Sequence, residues 1–267
     1  LATDDRELMI RMPAAVAALG VVCMTMLLAY AFTKSLWLGA LSGIMLVTTE
    51  PFVSGAREGR LDILVSFFIL LAIYGFWRGL TDRRWYMLFG ASFGLAILSK
   101  SVIAVFAVIA ILALAAALKD WRWFRDAYFW RSALLALVVI LPWHIYETAL
   151  YGFEFWNNYV GYHVFERFQT NIFGSPALQT DYIFHFVTFA PFLTAMFIAC
   201  VLASPLLVSK MQRVPRAGFL ASLVTSLSIL ILFFSAETRA WSYMLPLYPF
   251  AVLTVSFGAH ALIVKKA

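Results

Sequence analysis

Nine runs of mostly apolar residues, at 12–33, 36–56, 61–77, 85–99, 101–118, 132–149, 183–208, 217–236 and 242–263, occupy most of this 267-residue chain. A helix needs about 20 such residues to cross the hydrocarbon of a bilayer, with about 17–25 usual. The fourth and fifth runs are short and touch at Ser99-Lys100-Ser101, as a pair meeting near one interface would. Hydrophobic residues make up 63% of the chain and charged residues 13%. A soluble chain of this length has too little interior to hide so much apolar surface. The pattern predicts an all-α polytopic membrane helix bundle of about nine spans. It excludes a disordered chain, a disulfide scaffold and a nucleic-acid-binding domain. Cys23 and Cys200 each sit inside an apolar run and read as small core residues.

The loops between nine spans alternate between two sides, and the charges sort with them. Thirteen of the 20 basic residues fall on one side: Lys34, Arg78, Arg83, Arg84, Lys119, Arg122, Arg125, Arg131, Lys210, Arg213, Arg216, Lys265 and Lys266. The other side holds seven basic residues and eleven of the 14 acidic ones. Cytoplasmic loops carry the excess of Lys and Arg, so the thirteen mark the inside. The net charge of +6 is then mostly a record of topology. The acid-rich outer side is where chemistry is expected. Residue 1 is Leu and no leader precedes the first span, so the chain reads as part of a longer protein.

Four outer stretches and one inner one break the apolar pattern. In Arg57-Glu58-Gly59-Arg60-Leu61-Asp62, Asp62 is followed at once by apolar residues. An ionisable group deep in a bilayer costs about 2.5–3.5 kcal/mol or more, so such groups tend to be functional. Asp62 is also four residues from Glu58, and the two share a face if the helix starts early. The alternative is a helix-end carboxylate favoured by the dipole. Lys100 either binds a phosphate or snorkels to the interface. The long connection 150–182 carries Phe153, Phe155, Trp156, Tyr159, Val160 and Phe165 at helical spacing, which predicts one or two helices lying in the interface. There His163, Glu166 and Arg167 share a face and could hold a phosphate or a divalent metal, or form a solvated polar face. At the last outer turn Arg239 and Tyr243 are four apart, and Pro246 and Pro249 are expected to kink the final helix. On the inner side, Lys119 through Arg125 mixes basic and aromatic residues. There an aromatic belt touching anionic lipid explains it better than single-stranded nucleic acid.

Six short motifs in order resemble those of the polyprenyl-phosphate-dependent glycosyltransferases of the C superfamily. They are Arg11-Met12-Pro13-Ala14-Ala15, Ala56 through Asp62, Gly94 through Lys100, Leu141-Pro142-Trp143, His163 through Phe168, and Arg239 through Pro249. Within that superfamily the chain is similar to lipid A aminoarabinose transferases and to bacterial members of the protein O-mannosyltransferase group. The resemblance implies a bacterial inner-membrane enzyme working on the periplasmic face. It would move a sugar from a polyprenyl-phosphate donor to a hydroxyl of a glycolipid or protein acceptor. It also implies site residues. Lys100, Arg167, Arg239 and Tyr243, with Arg57 and Arg60, would bind the carrier phosphate, and Asp62 and Glu58 are the carboxylates left for catalysis. Ser101 stands where the family has a glycine after the lysine. The family's main acidic loop follows a first helix that this chain is expected to lack, together with any soluble C-terminal domain, so this polypeptide alone is expected to be inactive. A transporter or flippase of a lipid-linked sugar is the competing reading. Transporters commonly show internal repeats and midplane charges. Here no repeat is visible and the notable charges lie toward one face.

Overall fold

The computed structural model describes residues 5–170, 180–238 and 240–263, and among them every regular element is helical. In chain order the α-helices are α1 (Asp5–Thr33), α2 (Leu36–Val47), α3 (Glu50–Arg57), α4 (Leu61–Gly79), α5 (Tyr86–Lys100), α6 (Val105–Leu118) and α7 (Ala127–Tyr151). There follow α8 (Phe153–Trp156), a π-helical stretch Asn157–Glu166, α9 (Arg167–Gln169), α10 (Thr180–Phe189), α11 (Pro191–Leu202), α12 (Ser204–Lys210), α13 (Arg213–Ser235) and α14 (Leu247–Ile263). Six helices are long and apolar enough to cross a membrane, or up to eight if each of two bent pairs is one span. The fold is therefore a polytopic all-α membrane bundle.

The two bent pairs have visible causes. Between α2 and α3 the axis turns by 66°. Pro51 has no N–H to continue the α2 ladder, so α3 starts afresh from Thr49. Thr49 turns its hydroxyl back to the Met45 carbonyl at 2.8 Å. Pro205 stands at the second bend, between α11 and α12, where the axis turns by 72°. The final helix corrects an expectation. Pro246 and Pro249 do not kink α14, because the helix begins at Leu247. Pro246 precedes it and Pro249 falls in the first turn, where a missing N–H breaks no ladder bond.

The run Arg83–Leu118 is 36 residues long and continuous in helical content. It nevertheless doubles back at Lys100, whose φ of −164° and ψ of 87° are far from helical. Tyr86 lies against Gly79 at one end of α4 and Lys100 against Asp62 at the other. Trp123 then packs on Phe76, with ring centroids 5.3 Å apart, back at the first end. A straight rod would leave Leu118 tens of ångströms beyond Asp62, and the five residues to Trp123 reach only about 17 Å. So α5 and α6 run antiparallel, both beside α4.

Contacts between loops sort into two ends. Gly59 lies beside Arg11, Asp62 pairs with Lys100, and the Glu237 amide donates to the Phe168 carbonyl at 3.0 Å. At the opposite end Arg83 pairs with Asp126 at 3.0 Å, and the Arg213 guanidinium donates to the Leu118 carbonyl. These are the two sets of loops that the charges separate in the sequence. Between them, hydroxyls link helices inside the bundle: Ser42 to Ser256 at 2.9 Å and Thr254 to Ser222 at 3.0 Å. Such bonds tie α2, α13 and α14 together where apolar packing alone gives little direction.

Candidate functional site

The end of the bundle that the charge pattern assigns to the outer face assembles from helix termini. Gly59, at φ +74°, ends α3 and lets α4 begin two residues later, at Leu61. Asp62 therefore lies in the first turn of α4, where the dipole favours an anion. It makes no capping bond. Lys100 is in the last turn of the antiparallel α5, where the dipole favours a cation. The two meet at 2.6 Å, Lys100 Nζ to Asp62 Oδ1, with the aspartate side chain 6% exposed and the lysine 28%. Each charge alone would be expensive at this depth, and each is the other's compensation. Lys100 Nζ also sits 4.6 Å from the centroid of the Tyr243 ring, a cation–π arrangement.

Beside them opens a cavity of about 420 Å³. Its walls are largely apolar, with Ile97, Ile103, Phe165, Phe168, Leu232 and Phe233 among them, and Lys100, Thr238 and Tyr243 add polar groups. The aromatic wall comes from the connection that the sequence predicts to be helical. Gly152, at φ +56°, turns the chain sharply after α7, and residues 153–169 then form a helix whose middle is π-helical. It leans on α7: Phe155 and Tyr159 pack against Trp143 at 5.4 and 5.7 Å, and His144 joins them. Its end is tied to the last outer turn, since the Thr238 hydroxyl donates to the Thr170 carbonyl at 2.5 Å.

Of the residues singled out from sequence, Asp62, Lys100 and Tyr243 come together. The face shared by Glu58 and Asp62 does not form, because the helix starts at Leu61 and Glu58 belongs to the end of α3. Glu58 instead binds Arg60 at 2.6 Å on the exposed outer turn, and Arg57 is exposed on the last turn of α3. None of these three lines the cavity. Arg60 lies over the Trp241 ring, 5.3 Å from its centroid. Glu166 is exposed, and its backbone carbonyl accepts from Thr170. Arg239 and the side chains of His163 and Arg167 lie outside the described residues. Among the described residues no three of His, Cys, Asp and Glu converge as metal ligands. Sequence reading missed Thr238 and Phe233, whose only signal is their place beside the last outer turn. It also missed Trp241, whose flanking Arg and Tyr drew the attention.

This is a charged pair and an aromatic ring set beside an apolar hollow at one end of a multi-span bundle. Residues 1–146, more than half of the sequence, match the family model described as dolichyl-phosphate-mannose-protein mannosyltransferase, and the chain belongs to that family. Among solved structures it is similar to ArnT from Cupriavidus metallidurans bound to undecaprenyl phosphate, with a TM-score of 0.77 at 17% identity over 96% of this chain and 46% of that one. The apo state of the same protein gives a TM-score of 0.68 at 19% identity over 96% and 45%. The chain thus spans under half the length of these structures. Comparison with curated proteins gives no match.

Proposed function

We propose that the protein is a membrane glycosyltransferase of the bacterial inner membrane that moves a sugar from a polyprenyl-phosphate carrier to an acceptor hydroxyl on the outer face. The observation that carries this reading is Lys100, held at 2.6 Å by a buried aspartate and opening onto a 420 Å³ apolar cavity. The apolar wall suits an isoprenoid chain, and the ammonium suits its phosphate. ArnT from Cupriavidus metallidurans, which shares the fold, was solved with undecaprenyl phosphate.

When the sugar leaves, the carrier phosphate gains negative charge, and fixed cations and donors stabilise it. Lys100 and Tyr243 fill that role, with Arg167 and Arg239 added by their motifs. Asp62 is engaged by Lys100 before the carrier arrives. A phosphate that draws the ammonium toward itself loosens that pair and frees the Asp62 carboxylate for the acceptor proton. Glu58, outside the cavity, serves to hold Arg60. The sugar and the acceptor, glycolipid or protein, are set by contacts outside this cavity.

The test is binding by the purified protein in detergent. Undecaprenyl phosphate should be retained at least about tenfold more tightly than undecaprenol, the difference expected when a charged hydrogen-bond partner is lost. Equal retention of the two overturns the reading.

We take the topology to have nine crossings, each bent pair counting as one span and the two arms of Arg83–Leu118, which double back at Lys100, counting as two. Single cysteines placed by Arg84→Cys and Arg125→Cys, in a background without Cys23 and Cys200, should then react with a membrane-impermeant maleimide only after the cells are opened. Glu154→Cys should react in intact cells. Labelling of Arg84→Cys and Arg125→Cys from opposite sides rules out the nine-pass arrangement.

A further inference from the structure

The outer turn 241–244 carries two aromatic rings, and each sits under a different cation. Arg60 Cζ is 5.3 Å from the Trp241 ring centroid. Lys100 Nζ is 4.6 Å from the Tyr243 ring centroid. The spacing repeats on the opposing segment. Arg60 is the N-cap residue of α4, and Asp62, two residues on, holds Lys100 at 2.6 Å. The start of α4 and the 241–244 turn are thus joined by two rungs, Arg60 to Trp241 and Asp62 through Lys100 to Tyr243. Trp241 also meets the His185 ring, 5.6 Å away and tilted by 31°, and His185 in turn packs on Phe189 at 4.7 Å. Trp241 is therefore held between the α3–α4 junction and α10. The cavity has only the second rung.

We propose that the Arg60–Trp241 stack is a latch that sets the height of the 241–244 turn, and so fixes the Tyr243 ring over Lys100 in the carrier-phosphate site. Arg60 and Trp241 are positioning residues. Neither lines the cavity, and on this proposal Arg60 acts through Trp241 and not on the phosphate itself. The inference rests on the carrier-binding reading of that cavity. Glu58 supports the latch from below, since its carboxylate accepts from Arg60 Nε at 2.8 Å and keeps the guanidinium from swinging into solvent. Of the two rungs this is the outer and more exposed one. A cation on an aromatic face at such a site contributes modestly, so the effect of breaking it is a graded loss of alignment.

The experiment is a double-mutant cycle on undecaprenyl phosphate affinity, read together with amide exchange in the ligand-free protein. Arg60→Ala should weaken affinity about fivefold and Trp241→Ala about tenfold, the range of a cation–π contact with its packing. The double variant should stay close to tenfold rather than reach about fiftyfold, because the two residues act through one contact. Trp241→Phe and Arg60→Lys, which keep a ring and a cation, should recover most of the affinity. In the ligand-free protein, exchange at the Tyr243 and Leu245 amides, which bond to Ala240 and Ser242 at 3.0 Å, should rise in both alanine variants. Additive losses, or failure of the phenylalanine and lysine variants to recover, overturn the latch. So does unchanged exchange at the two amides in both alanine variants. Absence of carrier binding by the unsubstituted protein refutes the transferase reading instead, and the exchange arm still decides whether the latch exists.

Discussion

Replacing Lys100 with methionine should destabilise the protein by about 3–5 kcal/mol, because it leaves the Asp62 carboxylate charged, buried and without a partner. Asp62 is the deeper member of the pair, 6% exposed against 28% for the lysine. The asymmetry predicts an order of effects. Asp62→Asn removes the charge from the buried side and keeps an oxygen that can accept from the lysine, while Lys100 can turn to the cavity. That change should cost about 1–2 kcal/mol. The double replacement Asp62→Leu with Lys100→Met should be more stable than Lys100→Met alone, since nothing charged is left at depth. All three should bind undecaprenyl phosphate less well than the unsubstituted protein. The Lys100 variants should lose the preference for the phosphate over the free alcohol, and Asp62→Asn should keep part of it. Thermal midpoints in detergent, with the same three variants in the binding assay, read both orders. Equal destabilisation by Lys100→Met and Asp62→Asn, with the double variant no more stable than Lys100→Met, would show that the pair is not coupled.

That pair shows what a sequence can and cannot disclose. Asp62 and Lys100 each stand out because charges are rare in apolar runs. Their meeting needs two further facts: α4 and α5 are antiparallel, and both charges lie at the same end. The charge distribution supplies the second fact, and the short spans on either side of Lys100 hint at the first. Glu58 misled for a physical reason. Spacing by four implies a shared face only within one helix, and Gly59 at φ +74° divides the segment. The prolines misled in the same way, since Pro246 and Pro249 kink a helix only if it has already begun. Tyr243 is legible as part of a motif, but the seating of Arg60 over the Trp241 ring is not, because the two residues are 181 positions apart in the chain. The cavity walls are least visible. Phe165, Phe168 and Phe233 look like any other phenylalanines in a chain that holds 25, and only the turn at Gly152 brings the first two over the hinge at Lys100.

One strong signal was present in the sequence and passed over. Gly90-Ala91-Ser92-Phe93-Gly94 places two glycines four apart on α5, the spacing with which membrane helices approach closely. Their partner is the small-residue face of α7. A methyl group at Gly90 would fall 2.0 Å from the Ser132 carbonyl oxygen, and one at Gly94 would fall 3.1 Å from the Ala136 carbonyl oxygen. From the other side, Gly75 of α4 leaves room for the α5 backbone, with the Phe89 nitrogen 2.7 Å from where its methyl would lie. So α5 is wedged between α4 and α7 by backbone contacts, and Lys100 rides at its end.

Gly90→Ala should therefore cost about 3 kcal/mol or more, at the upper end of overpacking effects, because the atom it strikes is backbone and cannot rotate away. Gly152→Ala is the control. It meets nothing within 4 Å, but its φ of +56° and ψ of −133° lie in a region that a side chain opposes, so it should cost about 1–3 kcal/mol through backbone strain and not through collision. The two also separate in function. Gly90→Ala pushes α5 from α7, shifts Lys100 relative to Asp62 and Tyr243, and should weaken undecaprenyl phosphate binding even where the protein still folds. Gly152→Ala leaves α5 and Lys100 in place and acts only through the outer helix and the cavity wall of Phe165 and Phe168, so the preference for the phosphate over the free alcohol should survive it. If Gly90→Ala left the thermal midpoint and the preference for the phosphate unchanged, α5 would not be held by α7 as described. The placement of Lys100 would then need another cause. If it is severe, the cation of the site is aimed by two glycines, residues that carry no chemistry of their own, through the path of a single helix.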